Sequence, residues 1–540
     1  MAIVKQLDKR SGITYAYESK SFWDKEKKQS RSRRTLIGRV NPDTGEIVPT
    51  DNRNKGRSLP DDIGTKRGPV PFTKTRRLFY GATYLFDQIG DLTGVTEDLK
   101  KCFPDSYRKI LSIAYYLILE DRNPLSRFSK WAGLHSHPFG EDIPSQRSSE
   151  LFASITEQQK MDFFRLQGRR RAKEEYWAYD STSISSYSEQ LKQVRYGKNK
   201  DHEPLAQINL VLVYGQDSNL PFYYRKLAGN IPDVKTVKEL VKELDVLGYS
   251  HVKLVMDRGF YSAENINALF SNHYRFLIAV STSLALVKKA IAVHGQEMRT
   301  FSCYNQAHDV YYHSQTVSWD YSKERPYKGD VVTEERRMYM HLFYSSEQAI
   351  EDERNFTLKM IGLQNELLCG NRVKEHEKSY EKYFTVTETP VRGIKVTPKQ
   401  EAMDEAKKTY GFFAFFTNEV KDSITALELY RNRDVVEKAF GNVKDRLSGR
   451  RLLVSSEASL EGKLFVEFVA LIYLSYIKKR MQEKKMFKDY TMIGLLDELD
   501  VIECFQQPGK ALFVGEILNR QKQLYEDLGV QPPMNPASLC

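Results

Sequence analysis

Between residues 174 and 280 the chain alternates short apolar strands with amphipathic helices. Strand-like and helix-like runs follow one another at 176–179, 208–214, 222–227, 234–247 (helix), 252–256, 263–272 (helix) and 274–280. Strands joined through helices pair in parallel, because the helical connection is long enough to return the chain to the same end of the sheet. The pattern therefore predicts an α/β fold in which hairpin strands come first and parallel strands follow.

The flanking segments differ from this core in composition and predict separate parts. Basic strands around the turn at 41–45 predict a hairpin, and residues 51–72 have the composition of a linker. Aromatic and threonine-rich stretches interrupt the core and predict a β-rich insertion. The predicted parts in chain order are a basic N-terminal β-strand and arm region (1–72) and a helical domain (73–170). The core follows in two parts (171–284 and 409–485) on either side of the insertion (285–408), and a C-terminal helical tail (486–540) comes last.

Positive charge is concentrated at the N-terminus of this 540-residue chain. The formal net charge is +11, and residues 1–80 hold 19 Lys and Arg against 9 Asp and Glu, a net of +10. Such a segment favours a polyanionic partner, nucleic acid before membrane. The five cysteines form no CxxC pair, and the longest apolar run, 465–477, is interrupted by Glu467. We therefore expect a soluble protein that is not exported, without a zinc finger and with a buried helix at that run.

One charged segment, residues 427–447, predicts a functional helix. Tyr430, Arg433, Glu437 and Lys444 stand at offsets 0, 3, 7 and 14, which would place them on one stripe about 60° wide in a continuous helix. An apolar band lies beside that stripe, formed by Val436, Phe440, Val443 and Leu447. This arrangement indicates a polar site at the edge of a core. The alternative is an ordinary amphipathic helix with an Arg433–Glu437 pair.

Two aspartates close strands of the predicted sheet and are candidates to join Glu437. Asp180 follows the strand 176–179, and Asp257 follows the strand 252–256. Three carboxylates that meet in one cleft repel one another unless divalent metal lies between them, and ligands that are all oxygen favour Mg²⁺ or Mn²⁺. Two such ions about 3.5–4 Å apart can drive phosphodiester displacement. Taken singly, each aspartate can also be a turn residue at a strand end.

These residues resemble the three conserved blocks of a known family. Asp180, the run Asp257-Arg258-Gly259-Phe260 and the pattern Tyr430-x2-Arg433-x3-Glu437-x6-Lys444 are similar to those of bacterial insertion-sequence DDE transposases with the Tyr-Arg-Glu-Lys signature. The resemblance covers about residues 174–480. It implies a ribonuclease-H-like catalytic core that is interrupted by a β-rich insertion.

The resemblance also implies roles for individual residues. Asp180 would contact two Mg²⁺ or Mn²⁺ ions, with Asp257 and Glu437 holding one each. Tyr430, Arg433 and Lys444 would bind DNA phosphates, Arg258 would lie near the metals, and Trp319 would stack on a flipped base. For the last two residues the alternatives are a solvated turn arginine and a core tryptophan. Tyr311, Tyr312 and Tyr321 compete with Trp319 for the stacking role.

The implied function is cut-and-paste transposition. Water attack would nick the double-stranded DNA at the terminal inverted repeats of the element, and the freed 3′-hydroxyl would then attack target DNA. A homodimer would hold the two ends in the synaptic complex, and the helical domain beside the basic arm would bind the DNA end. The expected location is the bacterial cytoplasm, at the nucleoid. Two alternatives remain: a ribonuclease-H-fold metal nuclease without strand transfer, and a non-catalytic DNA-binding derivative.

Overall fold

The structure is a computed structural model that describes residues 2–9, 11–24, 29–42, 44–49, 75–120, 123–171, 175–188, 190–201, 203–249, 252–324, 331–389, 393–447, 454, 456–507 and 511–535. The predicted linker at 51–72 lies outside the described residues. The chain divides into two compact units, one of residues 1–71 with 508–510 and one of the remainder.

The first unit contains a four-stranded antiparallel sheet. Its strands, in spatial order, are β1 (Ala2–Leu7), β2 (Thr14–Asp24), β3 (Gln29–Val40) and β4 (Ile47–Val48). The predicted hairpin is confirmed: β3 and β4 pair across a turn in which Gly45 has φ +71°, a conformation that favours glycine. Arg31, Arg33 and Arg34 of β3 are exposed, so the strand presents positive charge to solvent.

The second unit opens with β5 (Arg76–Phe79) and a run of helices, which confirms the helical prediction for this segment. The helices are α1 (Gly81–Thr93), α2 (Val95–Cys102), α3 (Tyr107–Leu119), α4 (Phe128–Ala132), α5 (Ser145–Ser154) and α6 (Glu157–Arg171). Residues 145–171 form two helices, α5 and α6, with a break between Ser154 and Glu157. The chain breaks there because Thr156 and Gln159 form a reciprocal cap that starts α6.

A nine-stranded mixed sheet forms the centre of the second unit. Its strands are β6 (Trp177–Ser185), β7 (Gln207–Gly215), β8 (Pro221–Ala228), β9 (Lys253–Met256), β10 (Arg275–Val280), β11 (Tyr304–Asn305), β12 (Val310–Glu324), β13 (Val331–Tyr344) and β16 (Phe412–Thr417). The order is β11-β12-β13-β16-β10-β9-β6-β7-β8, with β6, β9 and β10 parallel and the other pairings antiparallel. Helices α7 (Thr236–Val246) and α8 (Ala263–Ser271) connect the parallel strands, as the alternation predicts.

Residues 285–408, predicted as a β-rich insertion, contain both strands and helices. Strands β11 to β13 extend the central sheet, because β13 pairs with β16 along six residues. The remaining elements are α9 (Ala285–His294), α10 (Ser346–Leu368), α11 (Glu377–Tyr383), the hairpin β14 (Phe384–Thr389) with β15 (Gly393–Pro398), and α12 (Gln400–Lys407). The segment is therefore mixed in secondary structure, and its status as an insertion stays a prediction.

The C-terminal part packs a long buried helix against the sheet and the N-terminal helices. Its elements are α13 (Ser423–Arg431), α14 (Asp434–Gly441), a π-helical turn (Asn442–Arg446), α15 (Glu457–Glu483), α16 (Met492–Asp500), β17 (Glu503–Gln506), β18 (Phe513–Val514) and α17 (Asn519–Asp527). Phe465 of α15 contacts the rings of Phe103 and Phe163, so one core spans both parts. The predicted buried helix at 465–477 is confirmed. Within the described ranges, no helix has the length and apolar character needed to cross a membrane.

The continuous helix predicted over residues 430–447 is wrong. Asn432 and Arg433 keep helical backbone angles, but the hydrogen bonds there tighten to an i,i+3 pattern that separates α13 from α14. Tyr430 therefore lies on α13 and Glu437 on α14, while Lys444 lies on the π-helical turn. Asparagine is a weak helix former. Beside this interruption Arg433 pairs with Glu437 at the i,i+4 spacing of a helix and also forms a buried ion pair with Asp180 of β6. The four residues of the predicted stripe are therefore divided among three elements, although Arg433 and Glu437 keep their i,i+4 contact.

A buried histidine predicts acid sensitivity of the helical part. The Nδ1 atom of His137 contacts the Ser112 hydroxyl and accepts a hydrogen bond from the Gly140 N–H, so the imidazole is neutral in the folded protein. Burial, followed by the charge of His135, lowers the pKa of His137 to about 4. In the unfolded chain His137 takes up a proton near pH 6.5, whereas in the folded protein it does so only near pH 4. The free energy of unfolding is therefore unaffected by His137 above pH 6.5 and decreases as the pH falls towards 4. At pH 5 the expected loss is about 2 kcal/mol.

The measurement is chemical denaturation at pH 7 and pH 5. His137→Asn, whose Oδ1 can replace Nδ1 as an acceptor, should lose less stability between these pH values than the original protein does. His273→Asn is the matched control, because His273 is exposed and asparagine tolerates its φ of +58°. An unchanged pH dependence in His137→Asn would contradict the assignment.

Candidate active site

Asp180 and Asp257 lie side by side on neighbouring parallel strands. Strands β6 and β9 pair in parallel, with Tyr179 opposite Met256, so the next residue of each chain segment is one of the two aspartates. Asp257 directly follows β9, as predicted. The placement of Asp180 at a strand end is wrong. It lies inside β6, which runs on to Ser185 because β7 pairs with it along its whole length.

Arg433 joins the first and third acidic residues. Its Nη1 donates to Asp180 Oδ2 at 2.8 Å, and its Nη2 donates to Glu437 Oε1 at 2.7 Å. The side chains of Arg433 and Asp180 are 11% and 10% exposed, whereas that of Glu437 is 52% exposed. One guanidinium thus occupies the space between two carboxylates, in the break between α13 and α14.

Tyr430 joins the second acidic residue. Its hydroxyl donates to Asp257 Oδ1 at 2.8 Å, and its ring packs on Phe415 of β16 with a centroid distance of 4.4 Å. Burial, followed by the charge of Asp257, raises the pKa of Tyr430 well above its ordinary value, so the phenol stays a donor. Tyr430 near the end of α13 and Arg433 just beyond that helix therefore both donate to aspartates of the central sheet.

A lysine that the sequence reasoning missed also neighbours Asp180. Lys200 Nζ lies 3.8 Å from Asp180 Oδ1 and 3.1 Å from Asp233 Oδ2, and it donates to the hydroxyl of Ser181 at 2.7 Å. Burial raises the pKa of Asp180 above its ordinary value, and the charges of Lys200 and Arg433 oppose that rise without cancelling it. Lys200 lies in the β6–β7 connection, where no periodic pattern marks it. Only the return of the hairpin brings it to the strand.

Lys444 forms an ion pair at the outer side of the same connection. Its Nζ lies 2.6 Å from Asp201 Oδ2, and its side chain is 13% exposed. Because Lys200 and Asp201 are consecutive, the β6–β7 connection contacts both Asp180 and Lys444. The structure thus brings Lys444 to the neighbourhood of the site through Asp201, not through a shared helix face.

The two remaining predicted residues have different surroundings. Arg258 is exposed on the short 3-10 turn that follows Asp257. Trp319 lies half-buried on β12, where its Nε1–H donates to Asn267 Oδ1 of α8 at 2.9 Å and its ring packs against the main core. In the described structure Trp319 therefore has a packing role and a hydrogen-bonding role.

The donor set fits a hard divalent cation, although each carboxylate is hydrogen-bonded to a protein side chain. Asp180, Asp257 and Glu437 offer only oxygen ligands, which is the chemistry that Mg²⁺ and Mn²⁺ prefer. Over the ranges that the structure describes, no cluster of three or more acidic, histidine or cysteine side chains is in place to hold a metal. The guanidinium of Arg433 supplies the positive charge between Asp180 and Glu437 instead. Metal binding there requires Arg433 to move.

Comparison with known proteins provides an independent indication. The family described as "Transposase DDE domain" matches residues 172–473, more than half of the chain, and this range includes the three acidic residues. No curated protein matches the chain in sequence. Among solved structures, a piggyBac transposase synaptic complex with hairpin DNA is similar at 9% identity over 83% of this chain and 77% of that one. Its TM-score is 0.30, which is too low to support an inference about this chain.

Proposed function

The chain belongs to the Transposase DDE domain family, and we propose that it is a DNA transposase that excises and reinserts an insertion sequence by cut-and-paste. In this proposal the catalytic core is ribonuclease-H-like and carries an insertion of mixed strands and helices at 285–408, and the functional signature is Tyr430, Arg433, Glu437 and Lys444. The protein acts in the bacterial cytoplasm, at the nucleoid. Its substrates are the terminal inverted repeats of the element and the target DNA, both double-stranded.

The observation that carries the proposal is the linkage of three acidic side chains from distant parts of the sequence, two by strand register and the third through one arginine. Asp180 and Asp257 emerge from paired strands, and Arg433 connects Asp180 to Glu437 by two charge-assisted hydrogen bonds. Asp180 is nine-tenths buried, and a buried carboxylate is unfavourable unless it is paired or serves a function.

The proposed chemistry uses two divalent ions. When bound, Mg²⁺ or Mn²⁺ would supply activation of the attacking hydroxyl group and stabilisation of the leaving oxygen. Asp180 would hold both ions, and Asp257 and Glu437 would hold one each. Released from the two carboxylates, Arg433 would contact a DNA phosphate together with Tyr430 and Lys444. A planar guanidinium suits two-point contact with phosphate, whereas Lys444 would act as a point charge.

Further contacts complete the proposed complex. Arg258, exposed beside Asp257, would face the scissile region, and Trp319 would leave its contact with Asn267 to stack on a flipped base. The basic N-terminal sheet and the helices of residues 73–170 would hold the DNA ends. A homodimer would keep two ends together during synapsis.

The test is a strand-transfer assay with DNA from both sides of the coding region. Short inverted repeats are expected there, and a duplex ending in one of them should be joined to a plasmid in the presence of Mg²⁺. Cleavage without any joined product would indicate a nuclease of the same fold. Binding without cleavage would indicate a non-catalytic DNA-binding protein, and either result would overturn the proposal.

Removal of metal is expected to abolish the reaction while leaving DNA binding in place. With excess EDTA, cleavage should fall below detection, because the carboxylates alone cannot stabilise the developing charge on the leaving oxygen. Mg²⁺ or Mn²⁺ added back should restore the activity. The check is a gel assay of nicked and joined products beside a filter-binding assay of the same samples. Full activity in EDTA would contradict the metal assignment.

A further inference from the structure

A basic cleft lies on the other side of the break between α13 and α14. Tyr430 and Arg433 face the acidic residues, whereas Arg431 and Asn432 line a cleft formed with α15. The space within the cleft, including the part that is open to solvent, is about 470 Å³. Its ionisable side chains are four cations and one carboxylate, a net charge of +3: Arg431, Lys438, Lys478, Lys479 and Asp434.

Two polar atoms at the cleft lack partners. Ser475 of α15 is 2% exposed, and its Oγ is buried without a hydrogen-bond partner among the described residues. Asn219, after β7, has a buried Oδ1 in the same condition, and rotation of the amide can present NH₂ instead. Buried polar groups are almost always hydrogen-bonded in native proteins. Two buried polar atoms without hydrogen-bond partners in one cleft therefore point to a polar ligand.

The cation in the middle of the cleft lacks a counter-ion. Lys438 pairs with Asp434, Lys479 donates to the carbonyl of Asp217, and Arg431 contacts His308. Lys478 is half-buried, and within the described structure no carboxylate lies within ion-pair distance of it. Burial, followed by the charge of Lys438, lowers the pKa of Lys478 to about 8. A bound anion would oppose that depression, because an opposite charge nearby favours the charged form of Lys478.

We propose that this cleft is a phosphate-binding pocket, in which Lys478 provides the charge, Ser475 and Asn219 provide hydrogen bonds, and the bound group is a backbone phosphate of DNA. The pocket is separate from the predicted contacts of Tyr430, Arg433 and Lys444, which lie on the catalytic side. The choice of DNA as the source of the phosphate rests on the proposed transposase function. The pocket itself does not.

The first arm of the test measures the salt dependence of DNA binding by the full-length protein. The probe is a fluorescein-labelled duplex of unrelated sequence, titrated at pH 7. Lys478→Gln should reduce the slope of log K against log salt by about 0.9 and weaken binding about eightfold at about 0.1 M salt, because one phosphate contact is lost. Lys484→Gln is the matched control, since Lys484 is exposed just beyond α15 and the change in net charge is the same.

The second arm uses inorganic phosphate alone and observes broadening of its phosphorus NMR line. The original protein and Lys484→Gln should broaden the line, and Lys478→Gln should not. Ser475→Ala, which removes an unpartnered hydroxyl and should fold normally, is expected to weaken phosphate binding about tenfold. Thermal unfolding of each variant checks the fold, and Ser475→Ala carries the test if Lys478→Gln unfolds.

The outcomes separate the pocket from the function. Weaker binding by Lys478→Gln of both DNA and inorganic phosphate supports a pocket for DNA phosphate. If the variant binds only inorganic phosphate more weakly, the assignment to DNA is overturned. If it binds both as the original protein does, the pocket itself is overturned. If the original protein binds no DNA but binds phosphate through Lys478, the proposed function fails while the pocket stands.

Discussion

Asp180→Asn is expected to reduce metal-dependent DNA cleavage and strand transfer by about 10³-fold or more, because metal-assisted charge stabilisation is worth several kcal/mol and each 1.36 kcal/mol is a factor of ten. Asparagine retains the size of the side chain and an oxygen that can accept from Arg433. It lacks the negative charge that two neighbouring cations require. The variant should therefore fold, bind DNA and fail in chemistry.

The measurement is single-turnover cleavage of element-end DNA, accompanied by a DNA-binding assay. Asp245→Asn is the matched control, because Asp245 is an exposed aspartate on α7. It should cleave at the original rate. Cleavage by Asp180→Asn within a few-fold of the original protein would remove Asp180 from the catalytic role.

Arg433→Ala is expected to destabilise the metal-free protein by about 3 kcal/mol, since removing one partner of a buried ion pair leaves an uncompensated charge. Asp180 contributes most of this effect because its side chain is 10% exposed. Glu437, at 52% exposure, can be solvated and contributes little. Lys200 remains near Asp180 and limits the loss.

Divalent metal should offset part of that loss. In the original protein a cation must displace Arg433 from Asp180 and Glu437, whereas the variant has already lost the competing guanidinium. Mg²⁺ is therefore expected to raise the free energy of unfolding more in Arg433→Ala than in the original protein. A chemical denaturation series with EDTA and with Mg²⁺ measures both quantities.

The control for this experiment is Arg258→Ala. Arg258 is exposed next to Asp257, so its removal should change the free energy of unfolding by no more than about 0.5 kcal/mol. Equal stability of Arg433→Ala and Arg258→Ala in EDTA would mean that the two ion pairs of Arg433 contribute nothing. Equal effects of Mg²⁺ on both variants would mean that Arg433 does not compete with metal.

Local pattern was sufficient for much of this fold. The strands and helices between 177 and 280 match the alternation of apolar runs closely. Each element buries apolar side chains, and their spacing along the sequence follows the period of a strand or a helix. The N-terminal hairpin and the buried part of α15 follow in the same way from turn residues and a continuous apolar run. The acidic residues could be selected only in combination with the charged segment 427–447 and its family resemblance, because a single aspartate at a strand end can be a turn residue.

Only the tertiary structure decided how the acidic site is assembled. Helical spacing predicted a stripe of four residues on one helix, but the structure divides them among α13, α14 and a π-helical turn. It also adds the long-range ion pair of Arg433 with Asp180. The extension of β6 past Asp180 depends on a partner strand, and the approach of Lys200 depends on the path of a loop. The sequence alone thus determined which residues carry charge and which faces are buried. Their pairing was decided by contacts between residues as far apart as Asp180 and Arg433, which no local period records.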